Sequence, residues 1–301
     1  MKLLVTGAWK CTENEIRRLS DMGHDVYLMP DERGELPIAA EEIEGVICNG
    51  LFLYHDIKEF TSLGYIHLTS AGLDRVPVGY IEEQGIRLHN ARGVYSAPMA
   101  EYAVWGVLSV YRSAATFYKN QSEHAWCKVR SVMELFGKTV LIVGCGSVGG
   151  ECAARFLGMG CRVIGVDIEE RQDNNYERIY SIDKIGDAVT EADVIVLTIP
   201  HTEATNRMFG ACLIERMKST AVLVNIARGG IIDTEALISA LSDKKILGAV
   251  LDVFEEEPLS SDSPLWDMQN VVITPHNSFV GECNSARLSK VIFENLSLRI
   301  N

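Results

Sequence analysis

Two groups of residues have the types and spacing to do chemistry. The first is the stretch from Thr139 to Gly149, where the aliphatic run Val140-Leu-Ile-Val143 leads into Gly144-Cys145-Gly146-Ser147-Val148-Gly149 and then a helix-like segment. Gly144 permits a tight turn, Gly146 lets the backbone approach a pyrophosphate, and Gly149 lets the new helix pack closely on the strand. Free N–H groups and the dipole at that helix start favour an anion. A second strand-like run, Arg162-Val-Ile-Gly-Val-Asp167, ends in an acid 18 residues past Gly149. A carboxylate there accepts hydrogen bonds from an adenosine ribose and repels a 2′-phosphate, which favours NAD over NADP. A glycine-rich turn in some other α/β protein is the alternative; strand, glycines, helix and acid in register weigh against it. The second group is three later segments: Val224-Asn-Ile226-Ala227-Arg228-Gly-Gly, Leu251-Asp252-Val-Phe-Glu-Glu-Glu257-Pro, and Ile273-Thr-Pro-His276-Asn-Ser278. Ligands of doubly wound sheets gather outside the carboxyl ends of strands, so an arginine, a carboxylate and a histidine could converge there.

Positioning these residues requires alternating strands and helices. Short strand patterns fall at 2–6, 25–29, 45–49, 65–69 and 86–89, with an amphipathic helix at 13–22 carrying Ile16 and Leu19 on one face. A long helical pattern runs over 96–118, with Pro98 tolerated in its first turn. A polar segment, 119–130, precedes a second alternating unit with six strands, at 139–143, 162–166, 194–199, 221–226, 247–251 and 271–274. A helix-like stretch, 282–298, closes the chain. The expected fold class is α/β, with two doubly wound parallel-sheet domains.

Length and composition set the outer bounds. The 301 residues suit two domains, and 47% hydrophobic with 23% charged residues is globular. A net charge of −13 argues against non-specific binding to nucleic acid or an anionic membrane surface, and no apolar run approaches the length of a spanning helix. The first residues, Met1-Lys-Leu-Leu-Val-Thr-Gly, look like a strand and turn rather than a signal peptide. Eight scattered cysteines without C-x-x-C imply reduced thiols in a cytoplasmic protein, and no Cys/His cluster has zinc-ligand spacing.

The chain resembles the D-isomer-specific 2-hydroxyacid dehydrogenase family. The likeness rests on Ala71-Gly72, Asn90 with Ala100-Glu101, Glu134-Leu-Phe-Gly-Lys-Thr139, the glycine fingerprint, Pro200-His-Thr-Glu-Ala-Thr205, Asn225-Ile-Ala-Arg-Gly-Gly230, Leu251-Asp-Val-Phe254 with Glu257-Pro258, and Pro275-His276. It runs from Ser70 to about Ser278, and the first 69 residues fit only in outline. The resemblance implies a flavodoxin-like substrate domain (1–92 plus 278–301) and a Rossmann NAD-binding domain (93–277), with the active site in the interdomain cleft. It further implies that Arg228 grips the substrate carboxylate, that His276 is the acid/base, and that Glu257 orients the imidazole and stabilises its protonated form. Ala71 and Gly72 would offer backbone N–H groups to the same carboxylate, and Asp252 would meet the nicotinamide amide. With the fingerprint glycines and Asp167, the cofactor would also touch Ser147, Val148, Pro200, Thr205, Ile226, Ala227 and His276. For Thr202 and Thr205, turn or capping roles are an equal possibility. The resemblance also implies a small 2-oxoacid or 2-hydroxyacid as partner and a homodimer joined through the NAD-binding domains. The 96–118 helix carries Tyr102, Trp105, Val107 and Tyr111 as candidate contact residues.

The chain also departs from the family pattern. Ser147 stands where an arginine is usual in the fingerprint, and Cys48-Asn-Gly-Leu-Phe-Leu-Tyr54 is apolar where phosphoglycerate-type members carry arginines. The leading expectation is an NAD-dependent dehydrogenase of small D-2-hydroxyacids. Two alternatives stand beside it: an NAD(H)-sensing, corepressor-like interaction protein, and phosphoglycerate dehydrogenase proper.

Overall fold

A computed structural model describes residues 1–297, and these divide into two compact units: Met1–Tyr95 with the chain from Gly281 onward, and Ser96–Val280. In the first unit, strands β1 (Lys2–Thr6), β2 (Asp25–Met29), β3 (Gly45–Cys48), β4 (Tyr65–Leu68) and β5 (Arg87–His89) form one parallel sheet in the order β2-β1-β3-β4-β5. That order is flavodoxin-like, with its switch point between β1 and β3. Alternate residues of β1 face opposite sides. Leu4 joins one apolar cluster with Val46 and Ile66, while Leu3 and Val5 join another. Leu288, Ile292, Phe293 and Leu296 of the C-terminal helix (Asn284–Ser297) fill that second cluster. Helix α1 (Glu13–Asp21) starts at Thr12, whose side chain accepts from the Glu15 N–H while Glu15 accepts from the Thr12 N–H. Helix α2 (Val78–Glu83) leads into β5.

The second unit opens with helices α3 (Ser96–Tyr111) and α4 (Ala114–Ser122). Then follow β6 (Thr139–Val143), α5 (Ser147–Gly158), β7 (Arg162–Asp167), β8 (Arg178–Ser181), α6 (Ile185–Glu191), β9 (Val194–Leu197), α7 (Ala211–Ile214), β10 (Val222–Asn225), α8 (Thr234–Ser242), β11 (Gly248–Leu251) and β12 (Val271–Ile273). All seven strands run parallel in the order β12-β11-β10-β9-β6-β7-β8. This is the Rossmann order with one added edge strand, and it switches direction between β6 and β9. Leu141 and Val143 face one core, Val140 and Ile142 the other. Ala100, Ala103, Val107 and Tyr111 of α3 pack into the latter core. Gly106 lets α3 lie against β11, because a Cβ there would come within 2.4 Å of Val250 Cγ1.

Four expectations change. The helix over 96–118 is broken between α3 and α4, where Ser113 takes a left-handed conformation with φ 55°. Val107 and Tyr111, expected as contact residues, are buried inside their own unit, while Trp105 stays exposed. A seventh strand, β8, lies at the sheet edge; only Ile179 of its four residues is buried, so its sequence lacks the apolar run of a central strand. The closing helix begins at Asn284, two residues later than expected, and the expected end at Leu298 lies outside the described residues. Among the described residues no helix is long and apolar enough to cross a membrane. All eight cysteines are free thiols, with Cys127, Cys212 and Cys283 at the surface.

Candidate active site

The parallel sheet of the second unit brings every strand's carboxyl end to one edge, and this unit's candidate residues lie there. At the end of β6, Gly144 takes φ +95°, a conformation side chains resist, and its N–H donates to Val166 O at 2.8 Å. A Cβ on Gly149 would come within 2.0 Å of Gly144 O, whereas one on Gly146 would meet nothing within 4 Å. The loop therefore closes on itself at Gly149 and opens outward at Gly146. Helix α5 starts at Gly146 with no side-chain cap, so its first N–H groups are left for an external acceptor. These donors and this clearance fit a dinucleotide pyrophosphate. Ser147 Oγ lies 2.9 Å from Ser96 Oγ, tying the start of α5 to the start of α3. Burial pushes the Cys145 thiol up to about 12, so it is no nucleophile.

Asp167 stands at the end of β7. Its Oδ1 accepts from Ile168 N at 2.8 Å, and its Oδ2 accepts from Cys145 N at 3.2 Å and Arg171 Nη1 at 2.7 Å. Burial opposes its ionisation, but the Ile168 N–H and the guanidinium outweigh burial and hold the carboxyl below its ordinary pKa. Past β9, Thr202 caps the turn Glu203–Thr205, and Thr205 Oγ1 donates to Pro200 O at 2.8 Å, so both threonines close that loop on itself.

The ends of β10, β11 and β12 carry the second group. Ile226 and Ala227 are buried where β10 ends. Asn225 Nδ2 donates to Arg228 O at 3.0 Å and Asn225 Oδ1 accepts from Ala227 N at 3.1 Å, so this asparagine braces the turn that presents Arg228. Gly229 packs directly on the loop after β11: a Cβ there would lie 1.8 Å from Phe254 C. In that loop Glu257 Oε1 accepts from Phe254 N at 3.1 Å, and Glu257 Oε2 lies 2.8 Å from His276 Nδ1. The neighbouring Glu255 pairs instead with Arg207 at 3.0 Å, which separates the two acids by partner.

His276 has φ 50°, unusual for a side-chain-bearing residue. Its N–H donates to Asp252 O at 2.8 Å and Thr274 O at 3.1 Å. Asp252, expected to meet the nicotinamide amide, is fully buried. Its carboxylate accepts from Asn277 N at 2.7 Å, Ser278 N at 2.9 Å and the Thr274 hydroxyl, and so fixes the turn that carries His276. Tyr102 Oη, 2.6 Å from Thr274 Oγ1, continues this network to α3. Asn225, Thr274, Tyr102, Arg171 and Arg207 were not singled out from sequence as active-site residues. Asn225 had a signal, a polar residue inside a buried strand end; the others had none at their positions in the chain. In the first unit, Asn90 Nδ2 donates to Ala71 O at 2.7 Å and Ser70 Oγ to Gly72 O at 3.0 Å. Among the described residues, neither the Ala71 nor the Gly72 N–H has an acceptor.

Residues 104–278 match the family described as D-isomer specific 2-hydroxyacid dehydrogenase, NAD binding domain. A glyoxylate reductase of Korarchaeum cryptofilum is 33% identical over 75% of this chain and 70% of its own length. A D-3-phosphoglycerate dehydrogenase of Methanocaldococcus jannaschii is 34% identical over 73% of this chain, but the match spans only 42% of that longer protein. The crystal structure of the TT0316 protein from Thermus thermophilus superposes with a TM-score of 0.78 at 29% identity, covering 99% of this chain and 96% of that one. With its glycine loop, its strand-end acid and its sheet order all in place, the chain belongs to the D-isomer specific 2-hydroxyacid dehydrogenase family and is an oxidoreductase with an NAD-binding domain.

Proposed function

We propose that the protein interconverts a small 2-oxoacid and its D-2-hydroxyacid, with His276 as acid/base, Glu257 as its orienting carboxylate and Arg228 as the substrate-carboxylate ligand. NAD, when bound, supplies or accepts the hydride. The carrying observation is the 2.8 Å pair between His276 Nδ1 and Glu257 Oε2, with Glu257 itself anchored on the Phe254 N–H. That pair leaves Nε2 to give a proton to the carbonyl oxygen in reduction, or to take one from the hydroxyl in oxidation. The guanidinium of Arg228 suits a carboxylate because its planar fork stays charged and bonds bidentately. Ala71 and Gly72, with N–H groups lacking acceptors among the described residues, are proposed as further carboxylate ligands, which would give the first unit (1–92 plus 278–301 in the sequence expectation) the substrate role. Gly144, Gly146, Ser147, Val148 and Gly149 are proposed to hold the pyrophosphate, Asp167 the ribose, and Pro200, Thr205, Ile226 and Ala227 the nicotinamide half. For Asp252 the proposed role becomes holding the His276 turn.

The loop after β3 supports a small, unphosphorylated substrate: Leu53 and Tyr54 are exposed there and no arginine lies between Cys48 and Tyr54. The test is NADH oxidation against glyoxylate, hydroxypyruvate, pyruvate, branched and aromatic 2-oxoacids and phosphohydroxypyruvate. Turnover of at least one unphosphorylated acid is expected. Clear NADH binding without turnover of any acid would overturn the proposal in favour of a cofactor-sensing protein. A homodimer through the second unit is also proposed, because Trp105, Phe117, Tyr118, Trp126 and Phe136 all leave large apolar surface exposed on it. Light scattering giving the single-chain mass of 33.3 kDa from an active preparation would overturn that part. The eight free thiols support a cytoplasmic location.

A further inference from the structure

We propose that Arg171 sets the cofactor selectivity of the adenosine end by screening Asp167, so that the protein discriminates between NAD and NADP far less than the acid alone would. This rests on the reading of Asp167 as the ribose-binding acid. Arg171 lies four residues past the end of β7, in a segment without helix or strand, with its side chain partly exposed. One guanidinium nitrogen, Nη1, bonds Asp167 Oδ2 at 2.7 Å; the other, Nη2, bonds Cys145 O at 2.6 Å. The side chain thus straps the strand-end acid to the carbonyl of the glycine loop. Of the other acids in this segment, Glu169 is exposed, while two have partners of their own. Glu170 pairs with Lys184 at 2.6 Å, and Asp173 accepts from Asn175 N at 2.9 Å.

Two consequences follow from this geometry, and both act in one direction. A bare Asp167 would accept two ribose hydroxyls and repel a 2′-phosphate. With Arg171 on Oδ2, that oxygen already serves two donors, Arg171 Nη1 and Cys145 N, so a ribose hydroxyl must displace or share the guanidinium. A 2′-phosphate, in contrast, meets an acid–guanidinium pair of net charge near zero, and the guanidinium can turn its fork from Cys145 O to phosphate oxygens. The strap therefore weakens NAD binding and strengthens NADP binding.

The experiment measures NADH and NADPH dissociation constants by nicotinamide fluorescence on the full chain, without substrate, for the wild type, Arg171→Gln and Asp167→Asn. Arg171→Gln should raise the NADPH constant about tenfold, the scale of one charge-assisted contact, and leave the NADH constant within about threefold or tighter. An unchanged ratio would overturn the proposal. So would a parallel loss for both cofactors, which would make Arg171 a contact to their common adenosine. Asp167→Asn should shift the ratio toward NADPH; if it does not, the ribose-binding reading itself fails, separately from the role of Arg171.

Discussion

Replacing Glu257 with glutamine tests the proposed proton-transfer machinery at the place where the geometry is most exacting. Glu257 uses both oxygens as acceptors, Oε1 for the Phe254 N–H at 3.1 Å and Oε2 for His276 Nδ1 at 2.8 Å. A glutamine has one acceptor and one donor, and cannot satisfy both partners. If its oxygen stays on Phe254, its NH2 faces Nδ1, which then cannot carry a proton, and the imidazolium that serves as acid is disfavoured. If its oxygen turns to His276, the Phe254 N–H faces an NH2 and loses its bond, which at this exposed site costs about 0.5–1.5 kcal/mol. The lost charge adds to this. A carboxylate and an imidazolium with charge centres about 4 Å apart attract by about 1 kcal/mol in water and about 4 kcal/mol at an effective dielectric of 20. Both side chains are about two-fifths exposed, 42% for His276 and 38% for Glu257, which puts the value at the lower end. Together these terms come to about 2 kcal/mol, a loss in the single-turnover rate of about thirtyfold. Stopped-flow NADH oxidation with saturating 2-oxoacid reads that rate, and a fluorescence titration reads the NADH constant, which should hold. Glu255→Gln serves as the control, since its exposed pair with Arg207 carries at most about 1 kcal/mol. A Glu257→Gln rate within threefold of wild type would refute the reasoning. So would an equal loss in Glu255→Gln.

Three more outcomes are expected. His276→Ala should lower turnover by about two to four orders of magnitude with NADH binding near normal, and Arg228→Lys should raise KM strongly because an ammonium cannot form the fork; steady-state kinetics with a cofactor titration checks both. Gly106→Ala should destabilise the second unit by about 1–3 kcal/mol in chemical denaturation, since the new methyl would lie 2.4 Å from Val250 Cγ1 between α3 and β11. His67 is fully buried, and burial with the nearby His89 lowers its pKa from 6.5 to about 4. The unfolded chain takes up that proton first, so stability is full above about pH 6.5 and declines by about 3 kcal/mol as pH falls toward 4, and His67→Gln should flatten that part of the denaturation profile.

What the sequence made legible follows from the range of the interactions involved. The glycine loop and Asp167 are encoded within one βαβ segment, and β6, α5 and β7 stand where the pattern put them, because an apolar run ending in glycines leaves the chain few other conformations. The break after α3 was not legible, since it depends on one residue, Ser113, taking a left-handed conformation inside a run with helical periodicity. Edge strand β8 was hidden for a different reason. It has one neighbour, β7, and only Ile179 is buried, so it needs little of the apolar signal that marks β6 or β9. The site shows the same division. Motifs single out Arg228, Glu257 and His276 as candidates, but what supports them comes from other strands. Asp252 on β11 closes the turn after β12, Asn225 braces the end of β10, and Tyr102 on α3 reaches Thr274 from 172 residues away. No local pattern announces such pairs, because each residue alone is an ordinary polar side chain and acquires its part only when the sheet aligns the strand ends. Arg171 is the clearest instance. In the sequence it is one cation in a charged loop, and only the bonds to Asp167 and Cys145 make it a candidate for cofactor choice. The left-handed His276 then shows what the supporting bonds are for. A strained residue persists only where its surroundings over-determine it, and here Asp252 does so through its carbonyl on His276 N and its carboxylate on the next two N–H groups.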